Sequence, residues 1–113
     1  MLRDRLQAAL LPAMKAKDRV TVTALRSALA AIENAAAVPS RDTGSGLPAT
    51  GLGVTEVPRR AQDDAEIERI VRAEVDERLT AAAEYDRLGR DAEATRLRAE
   101  ADALGAHLTP GTI

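Results

Sequence analysis

Val22, Leu25, Leu29, Ile32 and Ala36 follow one another at spacings of three, four, three and four. That period lays one apolar stripe along an α-helix and dictates what the segment must pack against. Three other stretches carry the same signal. Leu2, Leu6, Leu10 and Met14 are four apart, with Ala9 and Ala13 beside them. Ile67, Ile70, Val71, Val75, Leu79, Ala82, Tyr85 and Leu88 cover a broad face of the longest candidate helix, 62–88. Leu97, Ala101, Leu104 and Leu108 mark a last one over 92–108. The chain is therefore expected to be all-α, with about four helices arranged as two hairpins in a bundle or irregular array.

The breaks between stripes set the hairpins. Continuing the first stripe through Lys15-Ala16-Lys17-Asp18-Arg19 would put Lys17 or Asp18 on a buried face, which is unfavourable for an unpaired charge. Asp is a good N-cap, so the first helix is expected to end near Ala16 and Asp18 to start the second. Pro12 removes a backbone bond and predicts a kink or a ragged last turn in the first helix. Asp63 or Asp64 is placed to cap the third helix. Gly89 is a natural stop and Asp91 a natural start at the second corner. Glu68 with Arg72, and Glu74 with Arg78, are favourable i,i+4 pairs.

Residues 37–60 differ in kind. Half of these 24 residues are Gly, Pro, Ser or Thr, so no period survives and a long flexible loop at about 37–61 is expected between the hairpins. Its glycines do not form a phosphate-binding loop, because no strand precedes them and no Lys-Ser/Thr follows.

At 113 residues a single domain, 1–113, is expected. Phe and Trp are absent and Tyr85 is the one aromatic residue, so the core must be aliphatic and modest in stability unless the chain self-associates. With no Cys, disulfides and thiolate metal sites are excluded. No run of about 18 apolar residues occurs, and the N-terminal stretch does not read as a signal peptide, so a soluble, cytoplasmic protein is expected.

Candidate chemistry is sparse. His107, the single His, has Leu104 three residues before it, so no Glu-x-x-His metal motif exists; near a helix end it is expected to meet free carbonyls. Glu74 with Glu77, and Glu66 with Glu93, read as solvated surface carboxylates. Ser27, Ser40 and Ser45 have no base within reach by sequence. No catalytic residue, metal or cofactor is expected.

Charge is uneven. Residues 1–35 carry Arg3, Arg5, Lys15, Lys17, Arg19 and Arg26 against Asp4, Asp18 and Glu33, whereas 62–113 carry seven Arg against thirteen acids. Either a polyanion is steered to the first hairpin or two oppositely charged hairpins pack together. Lys15, Lys17, Arg19 and Arg26 are the candidate phosphate contacts, against the plainer reading of solvated corner residues. The Ala24, Ala28, Ala31 and Ala35 flank of the second helix is a candidate face for a partner helix or a second copy.

"AMKAKDRVTVTALRSALAAIEN" (13–34) resembles the opening hairpin of the GatB/YqeY family, where a Met-Lys-x-x-Asp corner leads into Leu-Arg-x-x-x-x-Ala-Ile-x-Asn. Leu25, Arg26, Ala31, Ile32 and Asn34 fall in those places. "IVRAEVDERLTAAAEYDRLGRDAEATRLRAEADAL" (70–104) resembles the family's second half, with Tyr85, Gly89, Arg90, Glu100 and Leu104 matching. The family is related to the C-terminal tail of the B subunit of the tRNA-dependent amidotransferase, a tail that helps grip tRNA and holds no amidotransfer chemistry. The resemblance implies a small non-enzymatic helical accessory protein linked to RNA or tRNA. It carries a carbon-nitrogen ligase label, with glutamine as amido-N-donor, by association. Implied partners are tRNA or a tRNA-related protein complex. The competing expectation is a protein-interaction or self-associating module with no nucleic-acid role.

Overall fold

The computed structural model describes residues 1–37 and 62–108. The loop expected at 37–61 therefore lies, but for Ala37, outside the described residues. Four helices follow in order: α1 (Leu2–Lys15), α2 (Arg19–Ala36), α3 (Asp64–Arg87) and α4 (Asp91–Gly105). The all-α expectation holds, and each helix begins and ends close to where the stripes placed it. No helix among the described residues is long and apolar enough to cross a membrane.

Four long-range bonds fix the directions. Arg3 at the start of α1 donates to Glu33 near the end of α2, at 2.6 Å. Gln62, just before α3, donates to the Ile32 carbonyl, while Ser27 donates to Glu74, so α2 and α3 are antiparallel. Arg5 donates to the carbonyl of His107, just past α4. The helices thus run up, down, up, down, and both hairpin corners sit at one end. Beyond the Ser27–Glu74 contact α3 continues to Arg87, about 20 Å, whereas α2 reaches back to Arg19, about 12 Å. The α3–α4 corner therefore projects further, and Leu88 at its tip is 64% exposed.

The core is aliphatic. Leu2, Leu6, Leu25, Ile32, Ile67, Val71 and Leu104 are buried together with Ala13, Ala24 and Ala28. Met14 departs from its expected place in the stripe: it is 44% exposed, and Ala13 is buried instead. The reason is helical drift. A step of four residues overshoots a full turn by about 40°, so three steps carry Met14 about 120° away from Leu2. Ala13 lies only about 20° from Leu2 and takes the inward place. Pro12 lies inside α1, which runs on to Lys15, with the Ala16 N–H bonded to the Pro12 carbonyl at 2.9 Å. Pro12 has no N–H to bond the Ala8 carbonyl, and both residues are exposed, where water can replace the bond.

The two corners share one geometry. At the first, the Lys17 N–H bonds the Met14 carbonyl and the Asp18 N–H bonds the Ala13 carbonyl, both at 3.0 Å. At the second, the Gly89 N–H bonds the Asp86 carbonyl at 3.0 Å and the Arg90 N–H bonds the Tyr85 carbonyl at 2.8 Å. Both are Schellman closures, which require a left-handed residue after the helix. Gly89 supplies it with φ 76° and Lys17 with φ 60°. Asp91 differs from expectation: it is the first residue of α4 rather than its cap. After Gly89 only Arg90 precedes α4, and Arg90 is the N-cap without a side-chain bond.

Candidate nucleic-acid interface

The first corner is built by two caps in succession. The Schellman closure ends α1 and turns the chain, and Asp18 then caps α2. One Asp18 carboxylate oxygen accepts from the Thr21 N–H at 3.2 Å and the other from the Thr21 hydroxyl at 2.7 Å. Those bonds, the hydroxyl's first, hold the Asp18 carboxyl below the ordinary carboxylate range.

Lys15, Lys17, Arg19 and Arg26 are all exposed around this turn. Arg19 and Arg26 lie seven residues apart on one face of α2, with Val22 and Thr23 between them. Met14 and Lys17 close the side of the resulting depression, which has a volume of about 420 Å³. The structure thus brings Lys17, Arg19 and Arg26 to one concavity, while Lys15 stands outside its lining. Arg26 makes a weak contact to the Met14 sulfur at 3.9 Å.

None of the four cations is ion-paired with a carboxylate among the described residues. The contrast with the other hairpin is clear. Arg72 pairs with Glu68, Arg87 with Glu84, Arg90 with Glu93, Arg96 with Glu100 and Arg98 with Asp86. Asp86 raises the Arg98 pKa, and Arg90 lowers that of Glu93. Only Arg69 on α3 and α4 stands apart from any such pair among the described residues. Asp18 is the sole acid at the first corner among the described residues, and its oxygens are turned to Thr21.

No protein-family model matches this chain, and no curated protein or solved structure is significantly similar to it.

The alanine flank of α2 lies elsewhere than a free face. Ala24 and Ala28 have no exposed surface and belong to the chain's own core; Ala31 and Ala35 are half-buried. Alanines at these positions let α1 and α4 approach α2 closely, so the first two are covered internally and cannot meet a partner.

A buried ionic cluster went unread in the sequence. Arg78 donates through Nε to Glu100 and through Nη1 to Glu74, each at 2.9 Å, and Ser27 donates to the same Glu74 oxygen at 2.9 Å. The side chains of Arg78, Glu74 and Glu100 are 11%, 16% and 5% exposed. Glu74 is therefore no solvated surface group. Burial works against the Arg78 charge, but the bonds to Glu74 and then Glu100 outweigh it and raise its pKa. The signal was present: Arg78 falls between Val75 and Ala82 on the α3 stripe, and Glu100 between Leu97 and Leu104 on that of α4. A charge on an apolar stripe asks for a partner. The cluster ties α2, α3 and α4.

His107 contributes its backbone carbonyl to Arg5, while its ring makes no bond among the described residues. No group of three His, Asp or Glu among the described residues is placed to hold a metal ion.

Proposed function

We propose that this chain is a small cytoplasmic helical accessory protein, without catalysis of its own, that grips RNA phosphate through the α1–α2 corner. The GatB/YqeY resemblance supplies the partner class: tRNA, or a complex acting on it in tRNA-linked amidation. On this reading the carbon-nitrogen ligase label attaches by association with such a complex. The observation that carries the reading is the set of Lys15, Lys17 and Arg19 exposed at the corner, with Arg26 exposed two turns along α2, and no carboxylate partner for any of them among the described residues. A protein that places four unneutralised cations together pays in self-repulsion, and a polyanion relieves that cost.

The test is binding of labelled tRNA to the purified protein across a salt series. Neutralising four phosphates in a folded RNA gives a log-log slope of about −3, with affinity falling by more than tenfold between about 50 and 200 mM salt. Lys15→Glu with Lys17→Glu abolishes binding while leaving the helical circular dichroism unchanged. Undetectable binding at about 50 mM salt removes the proposal.

A further inference from the structure

The concavity at the corner is not a plain positive patch. Its lining carries the cations Lys17, Arg19 and Arg26, but it also includes the apolar side chains of Met14 and Val22. Met14 is 44% exposed, an apolar side chain turned out of the core by helical drift. Thr23 adds one hydroxyl between the two arginines. Arg19 and Arg26 stand about 10 Å apart along α2. An ion alone would leave Met14 and Val22 in water. A duplex would touch the cations with its phosphates, yet its bases are stacked inside and cannot reach Met14 and Val22.

We infer that this depression takes one unpaired nucleotide of a single-stranded RNA segment, the flanking phosphates on Lys17, Arg19 and Arg26 and the base against Met14 and Val22. Each part has a physical role. Thioethers make favourable contacts with aromatic rings, and a base presents one. The Arg26 guanidinium rests against the Met14 sulfur at 3.9 Å, where its plane can stack on an unstacked base. Thr23 is a donor and acceptor for a base edge or a ribose hydroxyl. The inference rests on the phosphate-binding reading above and narrows it from RNA in general to an exposed single-stranded base.

Fluorescence anisotropy with a labelled adenylate oligomer of about 12 nucleotides, free and in a duplex with its uridylate complement, separates the two. The single strand is expected to bind about tenfold or more tightly than the duplex. Met14→Ala weakens the single strand by about two- to tenfold and leaves duplex affinity and the salt slope unchanged. Lys17→Gln reduces the single-strand slope by about 0.7. Duplex binding as tight as single-strand binding, or no effect of Met14→Ala on a variant with unchanged circular dichroism, overturns this inference alone. Failure of every RNA to bind, tRNA included, overturns the phosphate-binding reading with it.

Discussion

Lys17 and Gly89 occupy equivalent places in two like turns, and only one of them suits its backbone. An L-residue with a side chain loses about 1 kcal/mol in the left-handed region relative to glycine. Lys17→Gly is therefore expected to stabilise the fold by about 1 kcal/mol, and Gly89→Ala to destabilise it by a similar amount. A Cβ at Gly89 meets no atom within 4 Å, so its cost is conformational. Urea denaturation of the two variants checks both signs. On the proposed binding role, Lys17→Gly is expected to gain stability while losing RNA affinity. Next to it, Asp18 has a lowered pKa in the folded state. The stability it gives is full above its unfolded value, near pH 4, and is lost as pH falls through the lower folded value. Asp18→Ala should lower Tm at pH 7, with the difference from the parent shrinking toward pH 3. Asp18→Asn should retain most of the cap.

At the scale of the helices, the Glu74–Arg78–Glu100 cluster is the feature whose removal does most. Arg78→Met leaves two carboxylates near each other and largely out of water, with Arg96 at 3.5 Å from Glu100 the remaining cation. The expected loss is about 3 kcal/mol. Adding Glu74→Gln and Glu100→Met removes the stranded charges and should recover most of it. If Arg78→Met alone were silent in chemical denaturation, the cluster would hold nothing together. The helices themselves were legible because each stripe keeps a period near 3.6 over several turns. The corners were legible because Asp18 and Gly89 are residues whose local bonding favours ends. What stayed hidden needed the third dimension. The stripes mark Arg78 and Glu100 as charges in need of partners, but only the folded hairpin shows that they meet each other and that Ala24 and Ala28 face inward beside Leu25. Met14 faces outward because a strict four-residue step drifts around the helix by about 40° each time. Of the candidate site, its cations were visible as a cluster, and their shared concavity with Met14 and Val22 was not.

The whole molecule is divided by charge. The cations of the α1–α2 corner have no carboxylate partner among the described residues, while the arginines of α3 and α4 are mostly matched within a strongly acidic hairpin. Both corners lie at one end, so an approaching polyanion meets attraction at the shorter hairpin and repulsion along the projecting one. The same field orients the encounter and confines it to one side. The account therefore stands or falls on where RNA lands. The most direct measurement is a 15N–1H NMR titration of the protein with tRNA at low salt. The account predicts amide shifts concentrated between Met14 and Arg26, with α3 and α4 beyond Val75 unmoved. Shifts centred on the α3–α4 hairpin, or none at any residue, would contradict it.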